Sequence, residues 1–269
     1  MLEDAAGFID YDDTGSGPAV LLVPGSCSTG AAWRPVMTAW NGQFRCITTS
    51  LLGYGGTAER RSAQDTSIAH EAEIVEAVIR HAATGVHLVG HSFGGLVSLA
   101  TVLRQRVPVK SLTIAEAPAV GVLAAPECAA DYAVFRQMTD VYMSAFDRRE
   151  PEAISIMIDF YGGEGTFASW PDRVRGYAVA TTHVNILDWA SAYGFPLPAD
   201  HLAAIDIPVL VIKGGASPPA VQRTNARLGL FIRNANVATV ADAAHFMITT
   251  HASETARLIA DHVKAAERA

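Results

Sequence analysis

Gly90-His91-Ser92-Phe93-Gly94 lies between an apolar run, Val86 to Val89, and a second apolar stretch that continues through Leu99. A serine hydroxyl becomes a nucleophile toward carbonyl carbon when it stands clear of the backbone beside a base. A sharp strand-to-helix turn gives that exposure by holding Ser92 in a strained conformation, and Gly90 and Gly94, with Gly95 behind, let strand and helix crowd together there. The five-residue pattern alone is weak, because Gly and Ser are common. Its setting is what makes it specific: a strand-like run before it, a helix-like run after it, and a His-Phe pair, His245-Phe246, near the C-terminal end. The chemistry this points to is acyl transfer through Ser92.

Alternating elements must hold such a turn. Gly7 to Asp12 reads as a strand, Ala19 to Val23 as a buried strand, Ala31 to Trp40 as a helix and Phe44 to Thr49 as the next strand. Ser67 to Ala83 carries apolar residues at helical spacing (Ile68, Ala72, Val75, Ile79), and Val109 to Ala115 is another buried strand. Strands and helices in this alternation predict an α/β fold with a parallel sheet covered on both faces. The alternation stops at Pro118 and resumes at Pro208 to Ile212 and Asn236 to Ala241, with a last helix over Glu254 to Ala266. This divides the chain into a core of residues 1–117 and 205–269 and a helical insertion of residues 118–204, expected to cap the active-site edge. Phe135, Met138, Tyr142, Trp170 and Trp189 of the insertion are the expected substrate-binding residues, although ordinary packing accounts for most of its aromatic side chains.

Composition narrows the classes. Of the 269 residues 50% are hydrophobic and 17% charged, enough for a large core, and the net charge of −7 with no basic stripe argues against a nucleic-acid partner. Cys27, Cys46 and Cys128 are spaced for neither zinc nor a disulfide framework. The acidic start Met1-Leu2-Glu3-Asp4 lacks the features of a signal peptide, and no apolar run reaches the length of a membrane span. The expectation is a cytoplasmic protein, monomer or homodimer, that acts on a small molecule and needs no cofactor, metal or membrane.

Over nearly its full length the chain resembles the α/β-hydrolase superfamily. Four segments match in order: Leu21-Leu22-Val23-Pro24-Gly25-Ser26, Leu51-Leu52-Gly53-Tyr54-Gly55-Gly56-Thr57, Gly90 to Gly95, and Ala244-His245-Phe246. The resemblance implies a mostly parallel, eight-stranded sheet with helices on both faces and an inserted helical cap. The superfamily usually has His-Gly where this chain has Pro24-Gly25, and Asp where it has Ser50. It makes His245 the general base. The other candidates fit less well: His91 should point away from its neighbour Ser92, His87 lies within a strand, and His70 and His81 lie on a solvated helix. The oxyanion hole is expected from the backbone N–H groups of Phe93 and Ser26. Cys27 beside them is expected to be an exposed-loop thiol and a candidate wall residue, without a nucleophile motif.

The third catalytic position departs from the common pattern. The superfamily usually has Asp in the turn after Pro208 to Ile212, where this chain reads Gly214-Gly215-Ala216-Ser217-Pro218-Pro219. A neutral hydroxyl at Ser217 cannot stabilise an imidazolium. Glu116, at the end of the strand after the one bearing Ser92, is the best replacement. It resembles the strand-end glutamate of zearalenone-lactonase-like hydrolases and some haloalkane dehalogenases. Asp188 and Asp242 are weaker candidates, and Asp206 is expected in a solvated loop. The resulting expectation is a serine hydrolase of an ester or lactone of a moderately apolar small molecule. The alternatives are a carbon–carbon bond hydrolase of ring-cleavage products and a hydrolase-fold binding protein with little turnover.

Overall fold

The computed structural model describes residues 1–4 and 7–268; residues 5, 6 and 269, assigned above to the core, lie outside it. Nine strands are described: β1 (Leu2–Asp4), β2 (Gly7–Ile9), β3 (Tyr11–Thr14), β4 (Ala19–Val23), β5 (Arg45–Thr49), β6 (Val86–His91), β7 (Val109–Ala115), β8 (Val209–Gly214) and β9 (Ala235–Val240). Seven form one sheet in the order β3-β5-β4-β6-β7-β8-β9, parallel throughout except for β3 against β5. The expected count of eight is thus corrected to seven among the described residues. Among the described residues β1 and β2 pair only with each other. The predicted strand Gly7 to Asp12 breaks at Asp10, whose carboxylate accepts hydrogen bonds from the Ser50 hydroxyl at 2.9 Å and the Gly56 N–H at 2.8 Å. That same carboxylate answers the hydroxyl at position 50, where the superfamily pattern has its own acid.

The helices are α1 (Arg34–Trp40), α2 (Ala69–Ala82), α3 (Phe93–Arg104), α4 (Ala129–Asp147), α5 (Ile154–Gly162), α6 (Thr166–Ser169), α7 (Asp172–Ala180), α8 (Thr182–Tyr193), α9 (Ala199–Ala203), α10 (Pro219–Phe231), α11 (Met247–Thr250) and α12 (Ala252–Ala266). Side-chain alternation along the central strands builds a core on each face. In β4, Val20 and Leu22 pack with Trp33, Val36, Trp40, Ile259 and Val263, which belong to the α1 and α12 side. Leu21 and Val23 pack instead with Val75, Ile79, Leu96 and Val97 of α2 and α3. A strand buried on both faces must be apolar at every position, and all five β4 residues are buried. Trp40 fastens α1 to α12 by donating its indole N–H to the Ala256 carbonyl at 2.8 Å.

Between β7 and β8 the described residues form only helices and short 3₁₀ turns, α4 to α9 among them. The expected lining residues Phe135, Met138 and Tyr142 stand on one stripe of α4 and are buried. Phe135 packs its ring against Phe160 and Trp189. No helix among the described residues is long and apolar enough to cross a membrane.

Candidate active site

Strand register brings the chemistry together. His91 of β6 lies opposite Ala115 of β7, and Ala115 lies opposite Ile212 of β8. Ser92 and Glu116 are therefore the first residues past two neighbouring strand ends. Both leave the sheet through left-handed backbone, with φ of 53° at Ser92 and 48° at Glu116. Such positions cost on the order of 1–3 kcal/mol each and persist only where the surroundings fix them. Here the Ser92 N–H donates to the Ala115 carbonyl at 2.8 Å and the Glu116 N–H to the Ile212 carbonyl at 3.0 Å. Gly94 is required by contact as well as by the turn, because a Cβ there would collide with the carbonyl oxygens of Val23 and Pro24.

Glu116 reaches across to His245, which follows β9. Its Oε2 accepts from His245 Nδ1 at 2.9 Å, and its Oε1 accepts from the Gly214 N–H at 2.6 Å. Both residues are buried, Glu116 completely. With Nδ1 engaged, Nε2 is the ring nitrogen left to face a nucleophile. The Tyr161 ring lies against the imidazole with centroids 4.2 Å apart, and Phe246 stands edge-on at 5.3 Å. Ser92 Oγ makes no hydrogen bond among the described residues, yet Ser92 and His245 line the same cavity. Ser217 is buried with its hydroxyl unpartnered among the described residues, and it does not bond His245.

The other histidines weighed as the base have other partners. His91 Nε2 donates to the His245 carbonyl at 2.8 Å, and burial, with the neighbouring His245 ring, drives its pKa down to about 3. It is a neutral brace for the His245 loop. His87 bonds Ser111 and Glu267, His70 pairs with Asp65, and His81 meets the Tyr11 ring edge-on. Asp242 and Asp206 are exposed. Cys27 was expected to be exposed; it lines the cavity but is buried, and burial followed by the nearby Asp188 charge pushes its thiol up to about 12. A thiol so held is not ionised at neutral pH and is no nucleophile.

Asp188 is far from idle. Its Oδ2 accepts from the Ser26 and Tyr54 hydroxyls, each at 2.6 Å, and its Oδ1 accepts from Arg61 Nη1 at 2.8 Å. Burial raises its pKa, against the pull of Arg61 and the two hydroxyls. Burial also works against the Arg61 charge, but Asp188, Glu71 and Glu59 together hold the guanidinium above its ordinary value.

The cavity measures about 830 Å³. Its floor comes from the loops that carry Gly25 to Thr29, Ser92, Pro118 and His245, and its opposite wall from Met157, Ile158, Tyr161, Tyr177 and Asn185 of the helical segment. Of the five expected lining residues, Trp170 and Trp189 line it; Phe135, Met138 and Tyr142 do not. Those three face inward within the helical layer, because the apolar stripe that marks a binding wall in sequence equally marks a helix-packing face. Tyr161 was not singled out in the sequence; its α5 stripe with Ile154, Met157 and Ile158 announces burial, not the neighbour it is buried against. Arg34 and Arg173, far apart in sequence, both line the cavity and are exposed, a basic feature that composition did not announce, and neither pairs with a carboxylate among the described residues. No group of three or more His, Cys, Asp or Glu side chains among the described residues is disposed to hold a metal ion.

Comparison with known proteins bears on the family and the fold. The model of the "Alpha/beta hydrolase family" matches residues 20–258. Haloalkane dehalogenase 2 of Mycobacterium tuberculosis is 27% identical over 113 residues, 42% of this chain and 39% of the relative. A pimeloyl-[acyl-carrier protein] methyl ester esterase of Vibrio cholerae is 34% identical over 106 residues, 39% of each. The chain thus matches about two fifths of the length of these curated relatives. Among solved structures, an alpha/beta hydrolase from Sphaerobacter thermophilus superposes with a TM-score of 0.74 at 24% identity, covering 97% of this chain and 98% of that one.

Proposed function

Since the chain belongs to the alpha/beta hydrolase family, we propose that it is a serine hydrolase that cleaves an ester or lactone of a moderately apolar small molecule through an acyl-enzyme. The observation that carries this reading is the buried pair of Glu116 Oε2 and His245 Nδ1, 2.9 Å apart, in the cavity that also holds the strained Ser92. In this reading His245 takes the Ser92 proton through Nε2 as the hydroxyl attacks the carbonyl, and Glu116 holds the imidazole and stabilises its charge. The tetrahedral oxyanion is received by the N–H groups of Phe93 and Ser26, each worth about 3 kcal/mol in the transition state. His245 then protonates the leaving alkoxide, and water reverses the sequence to free the acid.

The helical segment of residues 118–204 acts as the cap, with Trp170 and Trp189 among the residues that sort substrates. The largely apolar lining supports a moderately apolar acyl or alcohol group. Ser at position 92, not a carboxylate, argues against the halide displacement named for the dehalogenase relative, since no alkyl ester can form on an aspartate there. The test is a panel of p-nitrophenyl esters and aromatic lactones with product analysis. Pre-steady-state release of one equivalent of nitrophenol, followed by slower turnover, is the expected result. Absence of turnover on every ester and lactone, with cleavage only of a ring-fission dienoate, would replace the reading by carbon–carbon bond hydrolysis.

A further inference from the structure

We infer that Asp188, on α8 of the helical segment, is a positioning residue for the oxyanion hole and acts through the Ser26 hydroxyl. The inference rests on the acyl-transfer reading above, in which the Ser26 N–H is one of the two oxyanion donors.

The loop after β4 is in a conformation that needs support. Cys27, directly after Ser26, has φ of 55°, in the left-handed region that a side chain disfavours. Relaxation of Cys27 would turn the peptide that joins it to Ser26 and disturb the donor beside it. Several contacts hold the loop. Gly25 packs so closely on Ser92 that a Cβ on it would come within 2.8 Å of the Ser92 Cβ. The Ser28 hydroxyl donates to the Gly25 carbonyl at 2.9 Å, closing the turn on itself. The Ser26 hydroxyl donates to Asp188 Oδ2 at 2.6 Å, a side-chain bond that anchors the loop to a different part of the fold.

That anchor is itself fixed. Tyr54 donates to the same Asp188 oxygen at 2.6 Å, and Arg61 Nη1 engages the other at 2.8 Å. The Arg61 side chain is fully buried and is gripped in turn by Glu71 at 3.1 Å and Glu59 at 2.8 Å. Glu71 also receives the Leu52 N–H at 3.1 Å. Asp188 therefore has little freedom to follow Ser26, and the loop must conform to it. A buried ion cluster of this kind is a poor source of stability, since desolvation offsets most of its attraction. What it does supply is a fixed point within the cavity wall. An oxyanion donor acts in proportion to how well it is aimed before charge develops, so the benefit of such a fixed point falls on kcat and leaves ground-state binding nearly unchanged.

The experiment is a double-mutant cycle on a small p-nitrophenyl ester, with Ser26→Ala, Asp188→Asn and both together, and with the melting temperature recorded for each. Ser26→Ala keeps the backbone donor and removes only the tie. The inference predicts a loss in kcat of roughly tenfold for Ser26→Ala, KM changed by less than about twofold, and no further loss when Asp188→Asn is added. Full kcat in Ser26→Ala overturns it, as do losses that multiply in the double variant or a loss expressed in KM alone. If Asp188→Asn fails to fold, Ser26→Ala decides by its kcat and KM. Wild-type protein that hydrolyses no ester overturns the acyl-transfer reading and this inference with it; active wild type with an unaffected Ser26→Ala overturns the inference alone.

Discussion

Glu116 and His245, separated by 128 intervening residues in the chain, share a hydrogen bond of 2.9 Å in which neither partner is open to solvent. The second Glu116 oxygen is taken by the Gly214 N–H, in the turn where a different carboxylate is usual. Glu116→Gln can keep that N–H contact through its amide oxygen while removing the charge that faces the imidazole. It should lower kcat by about 10³- to 10⁴-fold with the fold intact. Steady-state kinetics on a p-nitrophenyl ester check this, and a loss below tenfold would mean that another group balances the imidazolium.

Ser217→Ala should cost far less, about tenfold at most, because its hydroxyl hydrogen-bonds neither Glu116 nor His245. In the Glu116→Gln background, Ser217→Asp should return part of the lost kcat by restoring a carboxylate in the neighbouring turn. A Ser217→Ala loss as large as that of Glu116→Gln would contradict the assignment.

Two aromatic residues of the helical segment should respond differently to truncation. Trp170 lines the cavity and stands edge-on to Phe246 at 5.0 Å, so Trp170→Ala should change the ratio of kcat/KM between long and short acyl esters. Phe135 is buried and does not itself line the cavity, so Phe135→Ala should leave that ratio unchanged and cost about 3–5 kcal/mol of stability. Denaturant titration beside a chain-length series distinguishes the two effects; a selectivity change in Phe135→Ala would place that side chain at the substrate after all.

The neutral His91 brace sets a pH dependence. Its folded pKa is depressed to about 3, while the unfolded chain binds a proton near the ordinary value of 6.5. Its contribution is complete above that ordinary value and is lost as pH falls from there toward 3, because the unfolded state takes up the proton first. Between pH 6 and 4 the wild type should lose about 1 kcal/mol per pH unit more than His91→Gln. Parallel stability curves for the two proteins would show that His91 is not held neutral.

The sheet core was legible because central parallel strands are rich in apolar residues: Ala19 to Val23, apolar throughout, and Val109 to Ala115, buried from Ser111 onward, have the predicted bounds in the structure. The elbow was legible because backbone crowding demands glycine at fixed offsets from Ser92. The sheet edge was less so. Asp10 interrupts a strand-like stretch where groups remote in sequence engage it: its N–H donates to Thr57 Oγ1, its carbonyl accepts from the Thr49 hydroxyl, and its carboxylate accepts from Ser50 and Gly56. The helical segment was the least legible. Its stripes reveal which faces are buried, but Phe135 and Tyr161 look alike in sequence, and only tertiary packing turns one toward its fellow helices and the other onto His245. Asp188 was weighed as a partner for His245; its true partners lie on two separate loops, Ser26 after β4 and Tyr54 and Arg61 between β5 and α2, a convergence no local pattern encodes.

The central claim is that Ser92, activated by His245 and Glu116, forms a covalent acyl-enzyme. Its most direct test is the rate of labelling by a serine-directed fluorophosphonate, read by intact mass and mapped by peptide sequencing, in the wild type, Ser92→Ala and Glu116→Gln. The account predicts one adduct on Ser92 in the wild type, none in Ser92→Ala, and labelling slowed by about 100-fold or more in Glu116→Gln. A wild type that resists the reagent, or carries the adduct on any other residue, would contradict it.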